Sequence, residues 1–154
     1  MNRYPRIYEF SERWGPPKIS LRDALILDDY GDDSYATRPI KHVKPSDVSR
    51  KDLDFYGGVY AFMGFHDLLF YLYPIALEYE KDIRLDCIDP FMYSLDTWLP
   101  SEIGKLRDVD QEALLAGLQW IWFAGDSGYA DWSQCPALQR AIGVYATHED
   151  QKMG

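Results

Sequence analysis

Ten consecutive apolar residues, Leu68-Leu-Phe-Tyr-Leu-Tyr-Pro-Ile-Ala-Leu77, constrain this chain more than any other segment. A membrane span needs about twenty such residues, so the run predicts a core helix. Leu68, Leu69, Leu72, Ile75, Ala76 and Tyr79 recur at i, i+3, i+4 and i+7, which carries the helix from about Phe65 to Lys81. Pro74 falls inside it. Proline lacks the backbone donor and crowds the preceding turn, at a cost of about 3 kcal/mol, so a kink or restart is expected near residues 71–73.

The rest of the chain reads as further helices around this one. Residues 1–19 contain Pro5, Pro16 and Pro17 and show no clean helical stripe, so an extended arm is expected there. Ser20-x-x-Asp23 approximates a capping box, and Leu21, Ala24 and Leu25 give the following helix an apolar stripe that Gly31 would end. The polar stretch 32–45 is a surface loop by the same criteria. Ser46 or Ser49 can cap a short helix over 51–56, closed by Gly57-Gly58. Periodicity does not separate a strand from a helical turn over 59–63, and the helical reading is the one taken. Asp89-Pro90 looks like a cap followed by proline at the first helical position, with Pro100 limiting that helix to 91–99. Ser101 caps a turn to Leu106, Asp108-x-x-Gln111 resembles a capping box for 111–124, and Gly125 stops that helix. A last helix opens near Ser133 or Pro136 and runs to about Tyr145. The expected fold class is all-α or mainly α: an arm over 1–19, a single helical domain over 20–146 and a frayed tail over 147–154.

Charge narrows the partners. Sixteen Lys/Arg oppose twenty-five Asp/Glu for a net −9, which disfavours a groove that neutralises nucleic-acid phosphates. The imbalance is local: residues 1–77 carry 10 basic and 11 acidic side chains (−1), residues 78–154 carry 6 and 14 (−8). The charged N-terminal stretch lacks a signal-peptide apolar core, so the expected address is the cytoplasm. Cys87 and Cys135 have no second Cys or His at ligand spacing, and are expected to be buried thiols rather than a disulfide or a zinc site. The histidines lack the context of a nucleophilic triad, and Gly125-Asp-Ser-Gly128 lacks the Gly-Lys-Ser/Thr of a phosphate loop. No catalytic residue, cofactor or metal ligand is assigned.

Two clusters remain as candidates for partner binding. Asp28, Asp29, Tyr30, Asp32 and Asp33 form an acidic turn whose spacing fails a calcium loop; it is either a solvated turn or a partner-facing patch. Acids at a helix C-terminus oppose the macrodipole, which favours a reason other than stability. Asp126, Tyr129, Asp131 and Trp132 share a glycine-containing loop. Carboxylates beside Tyr and Trp suit a hot spot for Lys or Arg; the alternative places Trp132 in the core and the aspartates in turns.

The string Ile19-Ser-Leu-Arg-Asp-Ala-Leu-Ile-Leu-Asp-Asp-Tyr30, then Asp52-Leu53, then Phe62-Met-Gly-Phe65 leading to Phe70-Tyr-Leu-Tyr-Pro74, resembles a family of small, uncharacterised bacterial proteins. In that family a helix ending in Asp-Asp-Tyr precedes a Phe-Tyr-Leu-Pro-type helix; here Tyr73 stands between Leu72 and Pro74. The likeness covers about residues 19–80. Its members are similar in size, acidity and aromatic content to the immunity proteins that bacteria make against their own toxins, and it carries over no catalytic residues. The resemblance implies a cytoplasmic immunity-type inhibitor that neutralises a cognate toxin, a basic protein, through an acidic, aromatic-rich surface. The alternatives are a small enzyme or ligand-binding domain with an inter-helix pocket near His66, Tyr71 and Trp120, and an adaptor in a bacterial complex.

Overall fold

A computed structural model describes residues 4–28, 42–125 and 129–143. Among them are seven α-helices and no strand: α1 Pro5–Arg13, α2 Leu21–Asp28, α3 Arg50–Phe55, α4 Phe65–Lys81, α5 Ile88–Glu102, α6 Asp108–Ala124 and α7 Pro136–Ile142. Single 3₁₀ turns occur at Pro45–Asp47, Tyr60–Phe62, Ile103–Lys105 and Trp132–Gln134.

The apolar run forms the centre of the domain. α4 spans the expected residues with Gly64 as its N-cap, and twelve of its seventeen residues are buried, Pro74 among them. A helix apolar on nearly every side must be covered on nearly every side. α1, α5 and α6 pack against it, and α7 closes the outer side of α5. Gly117 lets α6 approach closely, since a Cβ there would lie 2.6 Å from Leu72 Cδ2.

Residues 5–13 are helical rather than extended, which corrects the expected arm. Pro5 occupies the first turn, where its missing N–H costs nothing and its fixed φ favours helix. The buried face of α1 is Ile7, Phe10 and Ser11, so a serine sits where an apolar stripe would have been visible. Ser11 Oγ donates to Leu69 C=O at 2.8 Å and accepts the Tyr73 N–H at 3.1 Å. An undisturbed α-helix pairs those two groups with each other. A hydroxyl from α1 thus bridges α4 in the turn that Pro74 perturbs.

The link from α1 to α2 is fastened to the start of α4. Asp67, nearly fully buried, accepts the Lys18 and Ile19 N–H groups at 2.9 and 3.1 Å. A Cβ on Gly15 would lie 2.4 Å from the Phe70 ring, so only glycine allows the chain to pass there. α2 opens with the expected reciprocal box, Asp23 N–H to Ser20 Oγ and Ser20 N–H to Asp23 Oδ2. Ser49 caps α3 through the Asp52 N–H. From α3, the Arg50 guanidinium donates to the carbonyls of Glu78, Asp82 and Arg84, completing the end of α4.

Two later helices, α5 and α6, have ends other than those expected. α5 begins at Ile88, so Asp89 lies in its first turn rather than capping it, and the helix continues through Pro100 to Glu102. α6 begins at Asp108 after an extended Arg107, with Asp108 and Asp110 in the first turn where the macrodipole favours them. Asp110 pairs with Arg13 and Arg107, tying α6 to α1. α7 ends at Ile142 because Gly143 takes the left-handed conformation (φ +74°) that reverses the chain; the expected end at Tyr145 lies outside the described residues.

Candidate functional site

The acidic, aromatic surface is assembled from two segments distant in sequence. Asp131 donates its backbone N–H to Asp89 Oδ1 at 2.9 Å, which fixes the 129–131 segment beside the first turn of α5. Its own carboxylate accepts Ser133 Oγ at 2.5 Å. Behind the segment, Tyr79 of α4 takes the Ala130 N–H on its hydroxyl oxygen at 3.2 Å, and its ring lies 6.3 Å from that of Tyr129. Burial raises the Tyr79 hydroxyl above the ordinary tyrosine value, opposed by that backbone donor.

The face that results is chemically specific. Tyr129 and Tyr93 are 46% and 38% exposed, large fractions for aromatic rings. The Tyr93 hydroxyl, one turn along α5 from Asp89, is raised by burial and then by the carboxylates of Asp89 and Asp131. Asp131 and Asp86 are exposed and Asp89 half-buried. Asp89 and Asp131 each spend one carboxylate oxygen inside the structure. Two rings and two carboxylates on a backbone pinned from below can receive a Lys or Arg side chain with little ordering cost.

The sequence-derived residues separate on this surface. Tyr129 and Asp131 belong to it. Trp132 does not: it is 5% exposed, its ring packs edge-on against Trp122 at 5.0 Å, and its carbonyl accepts from Gln139. Asp126 lies outside the described residues, as do Asp29, Tyr30, Asp32 and Asp33; Asp28 closes α2. Asp89 and Tyr93 carried no surface signal in sequence, because the Asp-Pro dipeptide reads as a helix start.

The three residues named for an inter-helix pocket do not share one. Tyr71 is fully buried within a chain of hydrogen bonds. His42 Nε2 lies 2.9 Å from Asp52 Oδ2, and His42 Nδ1 lies 3.0 Å from Tyr71 Oη. The Leu21 N–H also reaches the Tyr71 oxygen. Every group is satisfied when Nε2 carries the proton toward Asp52 and Nδ1 accepts from the tyrosine. Burial pushes the Tyr71 hydroxyl far above the usual tyrosine range. Trp120 donates to Glu80 Oε2 at 2.6 Å and packs against Tyr4 and Tyr73.

His66 alone of the three lines a cleft, of about 500 Å³, between the end of α1, the start of α4 and the C-terminal half of α5. Its ring stacks on Trp14 at 4.6 Å and 14°. An adjoining hollow of about 400 Å³ shares Trp14, His66 and Glu102.

Both cysteines are free and buried, and burial pushes each thiol up to about 12. Among the described residues no group of His, Cys, Asp and Glu has the arrangement of a metal site, and no helix is long and apolar enough to cross a membrane. Comparison with protein-family models, curated proteins and solved structures gives no match.

Proposed function

We propose that this protein is a binding protein that seats a basic protein partner on the surface formed by Asp89, Tyr93, Tyr129 and Asp131, and that the partner is a cognate toxin, as for an immunity-type inhibitor. The observation that carries the reading is the Asp131–Asp89 hydrogen bond, which turns a loop and a helix terminus into one prearranged face of exposed tyrosines and carboxylates. The excess of −8 in the C-terminal half supports it, since negative charge steers a positive partner at long range while aromatic anchors govern its release. The family resemblance supports the toxin as partner, and a cytoplasmic site of action follows from it.

Co-expression with the product of the adjacent reading frame tests the reading. The expected result is a co-purifying complex with a Kd below about 1 µM, weakened by salt, and protection of cells that produce the partner. Tyr129→Ala and Tyr93→Ala should each weaken it by at least about tenfold. Failure to co-purify together with failure to protect overturns the proposal.

A further inference from the structure

α6 presents to solvent a row of residues, Val109, Glu112, Ala116, Gln119 and Phe123, spaced alternately three and four positions apart. That spacing keeps one side of a helix in line along its length, as in the seam of a coiled coil. The apolar members stand a heptad apart. Val109 is 53% exposed, Ala116 is exposed, and Phe123, at 74%, is the most exposed large apolar side chain among the described residues. One exposed apolar residue needs no explanation, but a row in register along a whole helix does.

Beside this row lies a groove of about 430 Å³ between α6 and α1. α1 runs antiparallel to α6, since Arg13 pairs with Asp110 at one end and Tyr4 packs on Trp120 at the other. The floor of the groove is Val109, Ala113 and Ala116, and its rim includes Arg6, Glu9 and Glu112. These three rim charges form no ion pair among the described residues. A rim with free charges of both signs matches a surface that carries the same two signs, rather than a uniformly charged one.

The face therefore holds both a knob, Phe123 near the C-terminal end of α6, and a hole, the groove toward its N-terminal end. A two-fold axis through Ala116 brings them together twice, because Val109 and Phe123 each stand seven residues from Ala116. Each Phe123 then meets Val109 of the other copy. Ala116, a small residue, meets itself at the axis and lets the helices close, and Gln119 comes opposite Glu112, to which its amide can donate.

We propose that this face is the interface of a two-fold dimer of the chain, with α6 packed antiparallel on α6 and each Phe123 seated in the other copy's groove. It shares no residue with the surface of Asp89, Tyr93, Tyr129 and Asp131. α6 is about 25 Å long, and with α1 alongside it the face covers roughly 500 Å² per copy, near the lower bound for specific association. Such an area predicts a reversible dimer with a Kd of about 10–100 µM.

Sedimentation equilibrium of the full chain from about 1 to 500 µM brackets that Kd. The average mass should rise from 17.9 kDa toward twice that value. Phe123→Gln removes the anchor at a position outside the core and should raise the Kd by at least about tenfold. Ala116→Cys places a thiol against its own copy at the axis. With diamide as oxidant it should form a linked dimer at least about tenfold faster than Lys51→Cys, an exposed position on α3, while the buried Cys87 and Cys135 stay unreacted. A mass that stays at 17.9 kDa throughout, a dimer unaltered by Phe123→Gln, or equal linking of the two cysteine variants overturns the proposal.

Discussion

The Ser11 hydroxyl of α1 accepts the Tyr73 backbone N–H of α4 at 3.1 Å, one residue before the proline in the central helix. Together with its bond to Leu69 C=O it fastens two helices at the point where α4 is locally weakest. Removing Oγ leaves a donor and an acceptor buried in an apolar core. Ser11→Ala is expected to lower unfolding free energy by about 2 kcal/mol. Pro74→Ala restores the missing donor and lets α4 close its own ladder, so the double variant should lose at least about 1 kcal/mol less than the sum of the singles. Urea unfolding of all four proteins checks this, and strict additivity would count against it.

The Tyr71–His42–Asp52 chain joins α4 to α3 and to the segment entering it. Tyr71→Phe keeps the ring and removes the hydroxyl, leaving His42 Nδ1 and the Leu21 N–H without their partner. A loss of about 1–3 kcal/mol is expected, with the α2 amides exchanging hydrogen faster than in the parent. Unchanged stability and exchange would mean the chain contributes nothing.

Gly117 is a packing requirement. Alanine would gain about 1 kcal/mol of helix propensity, but its Cβ would press on Leu72 in a filled core, costing about 1–3 kcal/mol. A net loss is expected in thermal unfolding, while Gly58→Ala, with nothing within 4 Å, should be close to neutral. Equal effects at both positions would contradict the close approach of α6 to α4.

Alkali should unfold the protein through its buried acids. Burial raises Cys87 from 9.0 to about 12, and the adjacent Tyr60 and the Tyr71 hydroxyl also lie well above their ordinary values. A raised folded value means that stability is complete below the unfolded value, near 9 for the thiol, and is lost as pH rises through about 12. Between pH 8 and 10.5 the unfolding free energy should fall by about 2 kcal/mol or more, and by less in Cys87→Ala. Urea midpoints across that range measure it; a flat profile would contradict the burial.

The central helix was legible because its signal is local: seventeen residues with apolar periodicity and a glycine before them leave few alternatives. The Ser20–Asp23 box and the Ser49 cap were legible for the same reason. α1 was missed because its third core position is a serine, whose burial depends on Leu69 and Tyr73 in another helix. Half of the candidate surface was missed in the same way. Tyr129 and Asp131 stand out in sequence beside glycines, but Asp89 acts on that surface only because the Asp131 N–H reaches it across forty-two positions.

By itself the sequence determined an all-α chain, the position of its central helix and the excess of acid in its second half, since periodicity, capping chemistry and charge are properties of neighbouring residues. Tertiary structure alone decided which polar groups became interior: Ser11, His42, Asp52 and Asp67 are buried because each finds its partner on a different element. It also decided that Trp132 belongs to the core and Tyr93 to the surface. An unpaired polar group is too costly to bury, and whether it is paired depends on what packing brings to it.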